Sequence, residues 1–223
     1  MILTQPAEMI RKDIGLRWLL LGALLVQLII CITAIGSYHP DQHFQIIEFS
    51  SYQLHKPSAA EKVWELPVHL RSTIQVYLFS GYYEVCNALG IRDPYVQLEV
   101  LRIVFGLALF VFFNGMAFWY FGRAEDRRTL YGVLLLLNFT WILPYTRTLY
   151  SSEMLSSLLF FGALWIYTCG RSADRRMGFT RPSLGVSVLT GFLFSLAFYV
   201  RFQTAFFLIG FAVWMIWPPP LTV

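Results

Sequence analysis

Residues 39–45, His-Pro-Asp-Gln-His-Phe-Gln, place one carboxylate, two imidazoles and two amides within a single short stretch. A carboxylate in such a setting can act as a general base that takes a proton from a hydroxyl group. Pro40 suits the first turn of a helix, where its missing N–H is no loss, and the pattern predicts a helix running to about residue 54. Four polar residues with helical spacing then share one face of this helix: Asp41, Gln45, Glu48 and Tyr52.

Two other interpretations of this stretch stay open. The macrodipole favours Asp41 at a helix N-terminus, so the polar face can also be an ordinary solvated surface. His39 and His43 form an i,i+4 pair that could bind a metal together with Asp41. A complete metal site needs further ligands, so we expect neither a metal nor another cofactor here.

The composition of the whole chain predicts a membrane protein. It is 57% hydrophobic and 13% charged, whereas an average soluble domain is about one-quarter charged. The apolar residues occur in runs near the roughly 20 residues that cross a bilayer. The net charge of +4 comes from short basic clusters between these runs, so we expect no nucleic-acid partner. Three cysteines without metal spacing predict neither a disulfide framework nor zinc.

We therefore expect an all-α integral membrane protein, a polytopic transmembrane helix bundle with a helical first extramembrane loop. The first apolar run exceeds the 7 to 15 residues of a secretory signal, so an uncleaved helix is favoured and cleavage is a minor alternative. The predicted parts are a cytoplasmic amino terminus (1–15), a first transmembrane helix (16–36), a luminal or periplasmic loop (37–99), a bundle of about five further segments (100–122, 129–145, 153–170, 184–200 and 202–217) and a truncated end (218–223).

The basic residues predict the orientation, because positive charge in short loops marks the cytoplasmic side. Alternating the segments places three basic connections on one side of the membrane, and these contain ten of the 17 basic residues: Arg11, Lys12, Arg17, Arg123, Arg127, Arg128, Arg171, Arg175, Arg176 and Arg181. The amino terminus is then cytoplasmic. The first loop faces the lumen of the endoplasmic reticulum or a bacterial periplasm, as do Arg147 and Arg201.

The segment interiors contain few polar residues, mainly Gln27, Asn114 and Asn138. Residues 138–140 match a glycosylation sequon, but we interpret Asn138 as a helix–helix hydrogen bonder because it lies inside an apolar run. The scarcity of interior charge disfavours a transporter. Within the first loop, apolar and aromatic residues recur at helical intervals over residues 73–90, which predicts an amphipathic helix in the interface or packed on the bundle.

Together these motifs resemble the lipid-phosphate-mannose-dependent mannosyltransferases, family 22 of the glycosyltransferases, which act on GPI-anchor and N-glycan precursors. The resemblance rests on residues 39–45, then Trp64-Glu65, Arg71-Ser72, Thr146-Arg147-Thr148, Ser152-Glu153 and Arg201-Phe202-Gln203-Thr204. It implies a bundle resembling the GT-C fold. The order agrees over essentially the whole chain, which resembles the amino-terminal half of family members.

The resemblance implies inverting transfer of mannose from a dolichyl- or polyprenyl-phosphate donor to a lipid-linked glycan acceptor, without an obligatory metal. Asp41 is the candidate catalytic base. The candidate substrate-binding residues are His39, Gln42, His43, Gln45, Glu48, Arg71, Arg147, Glu153 and Arg201. Arg147 and Arg201, with Arg71 as a third, are candidates to stabilise the departing phosphate. The alternatives are an Arg147–Glu153 ion pair and an Arg201 side chain that reaches into the interface.

Two departures from the family pattern motivate an alternative hypothesis of another class. The family usually has an Asp-Glu pair where this chain has Asp41-Gln42, and its members are about twice as long. A non-catalytic or truncated membrane subunit is therefore the second hypothesis, and a transporter the third.

Overall fold

The structure, a computed structural model, describes residues 9–34, 73–122, 127–176 and 182–216. All regular structure in these ranges is helical and none of it is strand, which confirms the expected all-α class. The helices are α1 (Ile14–Thr33), α2 (Ile74–Ala88), α3 (Pro94–Phe121), α4 (Arg127–Phe139), α5 (Ile142–Arg147), α6 (Ser152–Arg176), α7 (Leu184–Val200) and α8 (Thr204–Ile216).

Three of these helices are long and apolar enough to cross a bilayer: α1, α3 and the Ser152–Gly170 part of α6. Helices α7 and α8 are apolar but shorter. Large side chains along α1, such as Trp18, Leu25 and Ile32, are exposed. An apolar exposed surface on a long helix is what a lipid environment requires. The chain is therefore an integral membrane protein.

The helix boundaries differ from the predicted segments at several places, and two of these differences have a clear local cause. Helix α3 begins at Pro94 rather than near residue 100, because the Asp93 carboxylate accepts a hydrogen bond from the Tyr95 N–H and Pro94 occupies the first turn. The predicted segment 129–145 is divided into α4 and α5. Pro144 has no N–H to donate to the carbonyl of Thr140, so one continuous helix could not keep its hydrogen bonds there.

The amphipathic helix predicted at residues 73–90 is confirmed as α2. It ends in a Schellman turn, in which the Ile91 N–H donates to the Cys86 carbonyl and the Gly90 N–H to the Asn87 carbonyl. Gly90 has φ +82°, which a residue without Cβ adopts at no steric cost. The apolar side chains of Tyr77 and Val85 on this helix are exposed.

The chain divides into two compact units. The first consists of Met1–Gln42 and Tyr82–Tyr150, and the second of His43–Gly81 and Ser151–Val223. In the first unit, α1, α3 and α4 pack around a core formed by Leu16, Ala117, Phe118, Leu130 and Leu134.

Asp13 joins two helices at one end of the first unit. Its carboxylate caps α1 by accepting a hydrogen bond from the Leu16 N–H at 3.2 Å. It also accepts one from the Tyr131 hydroxyl at 2.7 Å and pairs with Arg127 of α4 at 3.1 Å. These bonds stabilise the charged form, and the Tyr131 hydrogen bond contributes most to holding the pKa of Asp13 below its usual value.

In the second unit, α6 packs along α7, and α8 follows α7 after a tight turn. Gly170 permits a close approach of α6 and α7, because a Cβ built there would lie 2.7 Å from a methyl carbon of Val186. An aromatic cluster connects all three helices: Phe160, Tyr167, Phe194, Phe211 and Trp214. This packing places the start of α6 beside the turn between α7 and α8.

Candidate functional site

Most of the residues predicted at the site lie outside the residues that the structure describes. These are Asp41, His39, Gln42, His43, Gln45, Glu48 and Arg71. Arg147, Glu153 and Arg201 are described. Glu153 and Arg201 meet in the second unit, whereas Arg147 lies inside the first unit.

The second unit contains a pocket where α6 begins and where α7 turns into α8. Its volume is about 190 Å³, smaller than the roughly 300–1,000 Å³ of typical small-molecule pockets. The lining residues are Glu153, Ser156, Ser157, Phe160, Phe161, Arg201, Gln203, Thr204 and Phe207. We call this the α6–α8 pocket. A volume of this size accommodates one end of an elongated ligand.

Arg201 is the cation of the α6–α8 pocket. It ends α7 with an extended backbone, and the Thr204 N–H donates to its carbonyl as α8 starts. Its Nη1 donates to the Ser152 hydroxyl at 3.0 Å and to the Glu153 carboxylate. The partner of Glu153 in its ion pair is therefore Arg201, whereas the alternative considered for Glu153 was an ion pair with Arg147.

The Arg201 guanidinium keeps most of its hydrogen-bonding capacity. Both bonds described above start at Nη1, and Nε and Nη2 donate to no group among the residues that the structure describes. A guanidinium has five N–H donors in a planar fork that fits carboxylate and phosphate oxygens. The side chain is 30% exposed. Arg201 can therefore bind an oxyanion without first breaking its contact with Glu153.

Two hydroxyl groups hold the polar end of the pocket together. Ser156 of α6 donates to the Ala197 carbonyl at 3.0 Å, and its oxygen lies 2.5 Å from the Thr204 hydroxyl. Because the Ser156 proton is used at Ala197, Thr204 is the donor between the two hydroxyls. Both residues are buried. Their bonds fix the turn that carries Arg201 against the first two turns of α6.

The other end of the pocket is aromatic. Phe160 and Phe161 lie two helical turns beyond Glu153, at a rise of about 1.5 Å per residue, and Phe207 lies one turn beyond Gln203. The Phe160 and Phe207 rings are 5.8 Å apart between centroids. The pocket thus has a charged end and an apolar end. An anionic head group with an attached hydrocarbon chain matches both ends.

The first unit contains a buried polar network centred on Arg147. The side chain is 2% exposed. Its Nη1 donates to Asn138 at 3.0 Å and to Gln27 at 3.4 Å, and its Nη2 donates to the Leu137 carbonyl. Its guanidinium also lies over the Phe110 ring, 6.0 Å from the centroid. All these partners are uncharged, so no carboxylate neutralises Arg147 within the described residues.

The same network contains the three polar residues that interrupt the apolar runs. Asn114 and Asn138 exchange two hydrogen bonds, at 3.1 Å and 2.8 Å, between α3 and α4. Gln27 of α1 donates to the Pro144 carbonyl at 3.2 Å. The prediction that Asn138 acts as a helix–helix hydrogen bonder is confirmed. The hydrogen bond between Asn138 and Arg147 was not predicted. The sequence did indicate that polar residues inside apolar segments need partners, and this could have pointed to Arg147.

The arrangement of acidic, cysteine and histidine residues offers no metal site in the described ranges. In residues 9–34, 73–122, 127–176 and 182–216, no group of three or more His, Cys, Asp or Glu side chains is placed to hold a metal ion. The three cysteines are free thiols, and Cys31 and Cys86 are buried.

Comparison with known proteins identifies the family. The model of the Alg9-like mannosyltransferase family matches residues 18–220. No curated protein and no solved structure matches the chain. The family match covers most of α1 and all of α2 to α8, and it includes the α6–α8 pocket, the Arg147 network and the first loop. The chain therefore belongs to the Alg9-like mannosyltransferase family and is a membrane glycosyltransferase.

Proposed function

We propose that this mannosyltransferase takes mannose from a dolichyl- or polyprenyl-phosphate donor and transfers it, with inversion, to a lipid-linked glycan of the GPI-anchor type. The family match supports the sugar and the reaction class. The observation that carries the donor assignment is the α6–α8 pocket, which combines one cation with an aromatic wall. A nucleotide-sugar donor has no apolar chain to occupy that wall.

The phosphate of the donor is proposed to bind Arg201. Its open Nε and Nη2 groups can donate to two phosphate oxygens, and such paired charge-assisted bonds are strong. Negative charge increases on the phosphate as its bond to the sugar breaks, so a fixed guanidinium stabilises the transition state more than the ground state. The first part of the isoprenoid chain would lie against Phe160 and Phe207.

Arg147 has less structural support as a phosphate ligand. Its guanidinium is enclosed by Gln27, Asn138 and Leu137, and a ligand would have to displace these groups to reach it. We propose that Arg147 instead orders the first unit, where Gln27 connects it to the helix that precedes the first loop.

Asp41 is proposed as the general base, on the strength of the sequence motif. In the reaction, an acceptor hydroxyl oxygen attacks the anomeric carbon from the side opposite the phosphate. Its proton passes to the Asp41 carboxylate while the sugar–phosphate bond breaks, and the electron pair leaves with the lipid phosphate. The neighbouring polar residues are proposed to bind the two sugars: His39, Gln42, His43, Gln45, Glu48 and Arg71.

The proposed location is the membrane of the endoplasmic reticulum or the bacterial inner membrane, with the first loop on the luminal or periplasmic side. The clusters of basic residues in the short connections support this orientation. A donor whose sugar phosphate projects from that side would reach the loop directly.

The test is transfer by membranes that contain the full chain, supplied with radiolabelled polyprenyl-phosphate-mannose. We expect a labelled glycolipid, and mass spectrometry of that lipid identifies the acceptor. GDP-mannose, with synthesis of lipid-phosphate-mannose blocked, is expected to give no product. Transfer that requires the nucleotide sugar and ignores the lipid-linked one would contradict the proposed donor.

A further inference from the structure

The contact between Glu153 and Arg201 has a consequence for charge in the α6–α8 pocket. Glu153 binds one edge of the guanidinium, and an oxyanion held at the open edge would share the same cation. The two anions would then lie close enough to repel each other. The repulsion between Glu153 and the ligand is proportional to the charge on the ligand. The attraction between Arg201 and the ligand is proportional to the same charge.

The substrate and product of the proposed reaction differ in this charge. The donor is a phosphodiester with one negative charge, and the released lipid phosphate is a monoester that carries about −1.5 to −2 at pH 7. Arg201 alone would therefore bind the product more tightly than the donor and slow its release. A carboxylate beside Arg201 weakens product binding more than donor binding.

We propose, on the basis of the function argued above, that Glu153 sets the charge preference of the α6–α8 pocket. It favours a monoanionic lipid phosphodiester over the dianionic lipid phosphate and so assists product release. Glu153 is suited to this task because its carboxylate is fixed at Arg201 by an ion pair and by the Ser152 hydroxyl, which donates to it at 3.2 Å. The side chain is 55% exposed, so it can remain ionised.

The test compares two ligands that differ in charge and share one chain. Polyprenyl phosphate represents the product, and its monomethyl ester is a monoanionic diester that cannot transfer a sugar. Binding of each is measured to the purified full chain in nanodiscs, for the wild type and for Glu153→Gln. We expect Glu153→Gln to tighten binding of the monomethyl ester about threefold and of the phosphate about tenfold, because the repulsion scales with charge.

Further variants separate charge from structure. Arg201→Gln is expected to weaken both ligands at least tenfold. Glu99→Gln removes an exposed carboxylate outside the pocket and is expected to change neither. Equal effects of Glu153→Gln on the two ligands, or weaker binding of both, would overturn the charge preference. Polyprenol, which lacks the phosphate, is expected not to bind.

A competition experiment tests whether the pocket selects an isoprenoid phosphate over the phosphate of an ordinary membrane lipid. Phosphatidic acid has the same head group on a bulk membrane lipid, and we expect it to compete poorly with polyprenyl phosphate. Equal competition would overturn the assignment to an isoprenoid ligand. The binding assay needs no turnover, so its result does not depend on whether mannose is transferred. Active enzyme with unchanged ligand binding in Glu153→Gln would refute this inference alone, whereas absent mannose transfer with the expected binding shifts would refute the proposed reaction alone.

Discussion

The guanidinium of Arg147 is buried among neutral groups. The surrounding amides must therefore stabilise its charge by hydrogen bonding, in place of the carboxylate of an ordinary ion pair. Removing a charged group from water costs several kcal/mol unless hydrogen bonds replace the lost hydration. Asn138 is central, since its carbonyl oxygen accepts from both Arg147 and Asn114. The network consequently depends on the mutual orientation of two side-chain amides.

The Asn114–Asn138 pair gives the first prediction. A double-mutant cycle with Asn114→Ala and Asn138→Ala should show a favourable coupling between about 0.6 kcal/mol, the average for hydrogen bonds between membrane helices, and about 1.7 kcal/mol, the maximum. Each single change removes both hydrogen bonds that the two asparagines exchange, so the sum of the two single effects should exceed the effect of the double change. Unfolding of the purified protein in mixed micelles supplies the free energies. Strictly additive effects would show that the pair does not interact.

Asp13 gives a prediction about pH. Asparagine also caps helices well, so Asp13→Asn isolates the charge that interacts with Arg127 and Tyr131. The folded-state pKa is lowered, so the charge stabilises the fold above the unfolded pKa of about 3.9, and this contribution disappears as pH falls through the folded value. We expect Asp13→Asn to be less stable than the wild type at pH 7, and the difference in stability to disappear as pH falls below the folded-state pKa of Asp13. A difference that stays constant with pH would contradict this assignment.

Among the helices, α1 and α3 approach each other closely at Gly106. A Cβ at this position would lie 2.8 Å from the sulfur of Cys31 and 3.3 Å from the amide nitrogen of Gln27. The Gln27 amide nitrogen is the group that bonds to Pro144. The contact between α1 and α3 therefore depends on a residue without a side chain.

Gly106→Ala should destabilise the protein by about 1–3 kcal/mol, the usual cost of overpacking. Gly132→Ala is the matched control, because nothing lies within 4 Å of a Cβ there, and alanine in a helix is expected to be neutral or stabilising by up to about 1 kcal/mol. Adding Cys31→Ala to Gly106→Ala should restore part of the loss by removing the sulfur. Thermal denaturation in detergent measures all three. No rescue by Cys31→Ala would indicate that the cost arises elsewhere.

The sequence predicted the bounds of a helix well where the helix coincides with one uninterrupted apolar run. The bounds of α7 match the predicted residues 184–200, because an apolar run between Ser183 and Arg201 contains no competing signal. The division into α4 and α5 was not predicted, because the hydrophobicity of residues 129–145 indicates one continuous segment. Pro144 can kink a helix or end it, and the sequence does not show which of the two occurs. The burial of Arg147 was also missed. Its position follows from how α1, α3 and α4 pack, which a linear pattern does not contain.

At the scale of the whole molecule, the two described parts of the site come from distant stretches of sequence. Glu153 and Arg201 were each proposed from the resemblance, but only the packing of α6 against α7 brings them into contact. Their shared pocket could not be inferred from spacing, since the two residues are separated by two helices. Asp41 stays a prediction from the motif, and it is the residue on which the chemistry depends.

The rate of mannose transfer by Asp41→Asn tests the central claim most directly. Asparagine keeps the size of the side chain and removes its basicity, and a positioned general base typically contributes roughly 10²–10⁴-fold to the rate. Initial rates with polyprenyl-phosphate-mannose are measured for equal amounts of wild type, Asp41→Asn and the control Glu84→Gln, which removes an exposed carboxylate from α2. We predict that Asp41→Asn loses at least a hundredfold in rate while Glu84→Gln retains full activity. A fully active Asp41→Asn enzyme would contradict the proposed mechanism.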